Sequence, residues 1–151
     1  MRPAQIALAC CLAAASCYAV SARRSDNAVV MPAAGYFPCT VASVHDGDTF
    51  TCSERDASGR SIRVRLAGVD ARELGDFCAR GHPCASAHAD DATAALSSMA
   101  LGQRLAWQAN GNTYGRIAAF CRRLDGTDLS CAMLQGGFVA RWNRYWGGHR
   151  C

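Results

Sequence analysis

The chain predicts a β-rich α+β fold: a five-stranded OB-type barrel carrying one or two helices. Three observations support this class. Short alternating runs are separated by tight turns, one Ala-rich helical stretch follows the third run, and the length suits a single domain. Of 151 residues, 50% are hydrophobic and 19% charged, the balance of an ordinary globular domain.

Cys39-Thr40-Val41-Ala42-Ser43-Val44 and Thr49-Phe50-Thr51-Cys52 flank the bend Asp46-Gly47-Asp48 and read as a hairpin. Asp56-Ala57-Ser58-Gly59 is a second turn, and Glu54 is expected in it. Over 61–67, Ile62, Val64 and Leu66 alternate with Arg63 and Arg65, the period of a half-buried strand. A three-stranded meander results. Residues 72–81 form a polar loop. Pro83 suits a first helical turn, and Ala85, Ala89, Ala92, Leu96 and Met99 share one face of a helix that Gly102 stops. Arg104-Leu105-Ala106-Trp107-Gln108 and Ile117-Ala118-Ala119-Phe120-Cys121 read as the last two strands. After a turn at Asp125-Gly126, a short helix over 129–135 ends at Gly136-Gly137. The order β-β-β-α-β-β-α is that of a small OB-type barrel, a fold that often presents a face and loops to nucleic acid. Fold alone decides no chemistry.

Upstream, residues 1–22 have the make-up of a secretory signal. Arg2 precedes the apolar run Ile6-Ala7-Leu8-Ala9-Cys10-Cys11-Leu12-Ala13-Ala14-Ala15, too short to span a bilayer, and small residues permit cleavage after Ala19 or Ala22. Ala14-Ala15-Ser16 lacks the large aliphatic residue of a lipoprotein signal, so lipid attachment at Cys17 is not expected. Residues 23–36 read as a tether, and 37–151 as the folded domain. A secreted or periplasmic monomer without membrane insertion is expected.

Three of the ten cysteines fall in the leader, leaving Cys39, Cys52, Cys78, Cys84, Cys121, Cys131 and Cys151. Export places these in an oxidising compartment, where cross-links are the default. The expected pairs are Cys78–Cys84, closing the polar loop into a ring, Cys121–Cys131 across the turn, and Cys39–Cys52. Cys151 is then the leftover. The paired C-x₂₋₄-C spacing of structural zinc is absent. All sixteen basic residues are Arg, and the net charge is +4. A guanidinium grips two phosphate oxygens at once. Codon bias accounts for the missing Lys as well, so composition leans only mildly toward a polyanionic partner.

Asp46 and Asp48 flank Gly47 at the first bend, where Asp commonly bonds its own backbone. Asp70 follows the third strand, which lies beside that bend in a meander, so Asp48 and Asp70 can converge. Two carboxylates with backbone carbonyls and water suit Ca²⁺ or Mg²⁺. Glu73 is one of two Glu in the chain and can take a proton from water; its plain alternative is a solvated loop residue. Arg65 lies opposite the apolar face of its strand. Arg116 follows Tyr114-Gly115, where Gly permits close backbone approach. Two guanidiniums can hold a phosphate and offset charge in its transition state. Trp142, Tyr145 and Trp146 can stack on bases, or pack in the core or at its rim.

The segments Val44-His45-Asp46-Gly47-Asp48-Thr49, Arg65-Leu66-Ala67-Gly68-Val69-Asp70-x-x-Glu73 and Tyr114-Gly115-Arg116 resemble, in type, order and spacing, the signatures of the staphylococcal-nuclease (thermonuclease) family. The similarity runs over residues 37–146. It implies Ca²⁺ held by Asp48, Asp70 and the backbone carbonyl of Ala71, with Asp46 shaping the loop. It also implies Glu73 as general base, Arg65 and Arg116 on the phosphate, Tyr114 along the nucleotide, and cleavage of DNA and RNA to 3′-phosphorylated ends. The family's Pro between the second Asp and the Glu is replaced here by Arg72, expected to loosen the loop and add a charge beside the metal. The family's long terminal helix has no counterpart, and cross-links are expected to replace its stability. The alternatives are a non-cutting nucleic-acid-binding module of the same fold and a disulfide-stapled inhibitor or envelope protein.

Overall fold

The computed structural model describes residues 37–151. The predicted leader and tether, with Cys17, lie outside them. Five strands form a closed barrel in the order β1-β2-β3-β6-β5: β1 (Phe37–Asp46), β2 (Thr49–Arg55), β3 (Ser61–Leu66), β5 (Arg104–Thr113) and β6 (Arg116–Arg123). The expected class is therefore the one observed. Alternation does the sorting: Ile62, Val64 and Leu66 point into the core while Arg63 faces solvent. β3 pairs with β6 in parallel, and all other barrel pairs are antiparallel. A parallel pair needs a long crossover, which here contains α1 (Ala89–Ala100) and β5.

Phe50, Val64, Leu66, Leu105 and Trp107 fill the barrel, and α1 adds Ala92, Leu96 and Ala100 to the same core. α2 (Leu129–Gln135) packs against β6 and α1. Two further short elements, β4 (Val69–Asp70) and β7 (Ala140–Arg141), pair with each other, and α3 (Asn143–Trp146) ends the fold. There are thus three helices among the described residues, where one or two were expected. Among those residues no helix is long and apolar enough to cross a membrane.

Four local expectations are corrected. α1 starts at Ala89, not near Pro83, so Ala85 lies outside it although buried. Pro83 sits within the Cys78–Cys84 ring, and the loop residue Asp76 fixes the helix start, its Oδ1 accepting the Ala89 N–H at 3.1 Å. Glu54 belongs to β2, where its carboxylate accepts from the Thr40 N–H at 2.8 Å. Cys39–Cys52 and Cys78–Cys84 are bonded as expected, but Cys131 pairs with Cys151, not Cys121. Cys121 is instead a free thiol turned into the barrel and fully buried, and burial pushes its pKa up. Cys151 reaches Cys131 because Trp146 is buried and His149 stacks on Phe120 at 3.8 Å, folding the last residues back onto β6.

Candidate functional site

The β1–β2 bend is the first wall of the site. Gly47 is required there: a Cβ would fall 2.5 Å from the Ala92 Cβ of α1 and 2.7 Å from that of Ala71. Asp46 Oδ1 accepts the Asp48 N–H at 3.0 Å, tightening the turn. Asp48 is thereby aimed inward and is 2% exposed. Its Oδ2 accepts the Ala71 N–H at 2.9 Å; its Oδ1 accepts from Thr49 Oγ1 at 3.0 Å and from Arg65 Nη1 at 2.7 Å.

The β2–β3 register pairs Thr49 with Arg65, which brings that guanidinium over the bend. Arg65 Nη2 also donates to Asp70 Oδ1, so one cation bridges both carboxylates. Asp70 is as buried as Asp48, and His82 Nδ1 lies 3.2 Å from its Oδ1. Burial pushes the Asp48 carboxyl up from 3.8 to about 7 against the pull of Arg65, and raises Asp70 for the same reason. One guanidinium does not offset two buried carboxylates.

Residues 72–88 form the second wall. Glu73 and Phe77 pair as an isolated bridge, the Glu73 N–H donating to the Phe77 carbonyl at 2.9 Å. Arg72 does not add its charge beside Asp48. It turns into the loop, Nε donating to the Ala85 carbonyl at 2.9 Å and Nη1 to that of Asp76 at 3.2 Å. Arg72 and the Cys78–Cys84 bridge thus hold a loop that the missing Pro was expected to loosen.

The β5–β6 hairpin is the third wall. Tyr114 and Gly115 have φ of 45° and 74°, the two left-handed residues of a type I′ turn. Gly accepts this freely; Tyr is strained by it. Tyr114 is 95% exposed, so no packing of its ring accounts for that strain. Arg116 Nη1 donates to Thr49 Oγ1 at 3.2 Å, while its Nε is buried with no hydrogen-bond partner among the described residues. A buried donor without an acceptor is costly, and a phosphate oxygen would supply one.

These walls enclose a cavity of about 530 Å³ lined by Arg65, Glu73, Tyr114, Arg116 and, among others, His82, Trp142, Arg144 and Tyr145. Asp48 and Asp70 are not on its lining; they lie behind Arg65. Trp142 packs on His82 at 4.2 Å and edge-on to Tyr145 at 4.7 Å, whereas Trp146 is core. Sequence reasoning missed His82 and Arg144. The one signal for His82 was its place between two cysteines six positions apart, whose bond fixes whatever the ring carries.

Asp48 and Asp70 offer buried carboxylate oxygens, net negative even with Arg65, which fits a hard divalent cation; the His82 imidazole nitrogen lies beside Asp70. Arg65 occupies the position between them, so an ion held there requires its withdrawal. Among the described residues, the groups with three metal-ligating atoms within 4.8 Å lie elsewhere, at Cys39, Cys52 and Glu54 and at Asp128, Cys131 and His149. Comparison with protein-family models found no match to this chain, and comparison with curated proteins found none either.

Proposed function

We propose that the protein is a calcium-dependent nuclease, secreted or periplasmic, that hydrolyses phosphodiester bonds of DNA and/or RNA. The observation that carries this reading is the convergence of Arg65, Glu73, Tyr114 and Arg116 on one cavity, with Asp48 and Asp70 joined to Arg65 behind it. The resemblance of the three motifs to the staphylococcal-nuclease family points the same way.

Asp48, Asp70 and the Ala71 carbonyl would hold the calcium ion, which when bound supplies a positive charge that polarises the phosphate. Glu73 accepts the proton of the attacking water. Arg116 directs its unpartnered Nε to a phosphate oxygen, and Arg65 exchanges its carboxylate contacts for a second phosphate oxygen. Together they offset the charge that develops on the phosphorus oxygens. Tyr114 lies along the nucleotide. The three disulfides suit an oxidising compartment.

Plasmid and oligonucleotide degradation, with calcium and then with a chelator, tests the proposal. Calcium-dependent cleavage leaving 3′-phosphorylated ends is expected; chelator-resistant cleavage or none at all would sink it. The second reading, a non-cutting nucleic-acid-binding module of the same fold, is favoured by Arg65 already serving as the counterion of Asp48 and Asp70. Oligonucleotide binding without cleavage would select it.

A further inference from the structure

A second cluster lies away from the candidate cavity and contributes none of its lining. Asp128 is the N-cap of α2, and its Oδ1 accepts the Cys131 N–H at 3.0 Å. Its Oδ2 lies 3.1 Å from His149 Nε2. The same Nε2 lies 3.6 Å from Cys131 Sγ. Cys151, bonded to Cys131, carries a second sulfur beside these three atoms but outside the group that lies within 4.8 Å. Three donor atoms, one sulfur, one imidazole nitrogen and one carboxylate oxygen, are thus already gathered, with the Cys151 sulfur tied beside them through Cys131. The four residues come from two segments of chain, the start of α2 and the C-terminal tail.

We propose that reduction of the Cys131–Cys151 bond converts this cluster into a four-donor site for a zinc-class divalent cation. In tetrahedral zinc sites, nitrogen at about 2.0 Å and sulfur at about 2.3 Å lie about 3.6 Å apart along a ligand edge, which is the separation of His149 Nε2 and Cys131 Sγ. The imidazole is already oriented. Its ring stacks on Phe120 at 3.8 Å and 8°, and the His149 carbonyl accepts from Trp146 Nε1 at 2.6 Å. The stack holds the plane of the ring, and the carbonyl contact holds the backbone that carries it. Arg122 Nη2, 3.6 Å from Asp128 Oδ2, offsets part of the negative charge of the loaded site.

The redox step balances with a dithiol reductant. One of its thiolates attacks a sulfur of the protein disulfide, and its second thiol closes the reagent into its own disulfide. Two protein thiols are left, and a divalent ion binding them as thiolates releases two protons. Cys151 is exposed and gives the reductant its entry, whereas Cys131 is buried. The other sulfur-containing group, Cys39, Cys52 and Glu54, is a poorer candidate. Its cysteines sit on the paired strands β1 and β2 and are almost fully buried, it offers no nitrogen, and the Glu54 carboxylate is taken by Thr40.

The test uses the full chain, reduced with a dithiol, freed of reagent without air, and titrated with Co²⁺ and then Zn²⁺. One equivalent of Co²⁺ should give the intense visible bands of tetrahedral coordination and a thiolate charge-transfer band, both displaced by Zn²⁺. The oxidised chain should give neither. His149→Ala, which keeps every cysteine, should lose the bands, and Glu54→Gln should keep them. Bands that survive His149→Ala, bands lost in Glu54→Gln, or a reduced chain that unfolds or stays colourless would each overturn the proposal.

Discussion

Arg65 and Arg116 reach the same cavity from neighbouring strands, yet they are held in opposite ways. Arg65 is held from two sides: its guanidinium spans two buried carboxylates and closes a cluster with little exposure to solvent. Arg116 is under-satisfied, with one hydroxyl contact and a buried Nε that has no partner among the described residues. The contrast separates a side whose guanidinium is held by two buried carboxylates from a side that leaves a buried N–H without an acceptor among the described residues. The proposed nuclease would use both: acids kept in place before a cation arrives, and a donor kept free for the phosphate.

The sharpest way to break this contrast is to remove chemistry without removing structure. Glu73→Gln and Arg116→Ala should each abolish most cleavage, by about 10²–10⁴-fold for the base and about 10²–10³-fold for the phosphate donor. Thermal unfolding of both variants should stay near that of the parent. Full activity in either purified variant refutes its role.

Arg65→Ala should act differently, on stability as well as on cleavage. Removing the sole guanidinium shared by two buried carboxylates costs about 3–5 kcal/mol, read as a lower denaturation midpoint. The pH dependence has a definite sign. Because folding raises the Asp48 pKa from 3.8 to about 7, its contribution to stability is fully present below pH 3.8 and is lost as pH rises through 7. The metal-free parent should lose stability across that window, and Arg65→Ala should lose more. Equal midpoints for Arg65→Ala and the parent at pH 7 would show that Arg65 is not the counterion.

The smallest effect is expected at the hairpin tip. Tyr114→Asn places a residue that tolerates positive φ at the strained position, and should stabilise the fold by about 1 kcal/mol while weakening oligonucleotide binding. Weaker binding with no gain in the denaturation midpoint would mean that the turn is not strained by Tyr.

What could be read in advance was whatever rests on local pattern. Ile62, Val64 and Leu66 announced their strand and, by exclusion, the face of Arg65; Gly47 announced its turn. What could not be read depends on chain that returns from far away. The parallel β3–β6 pairing, His82 against Asp70, and Cys131 meeting Cys151 all join segments whose approach no periodicity encodes. Cys121 and Cys131 flank a turn, and nearness in sequence suggested a bond; strand alternation instead turned Cys121 into the barrel. The start of α1 was hidden for a related reason, since its first N–H is capped by Asp76 from the preceding loop.

The missing side chain at Gly47 has a mechanical consequence. With no room between the bend and Ala92, the acid-bearing turn rests directly on the first turn of α1. A helix that lines no part of the cavity therefore sets how far Asp48 can wander. Softening α1, by heat or by a cavity at Leu96, would be felt at the turn without any intermediary, and cation affinity and helix firmness would decline together.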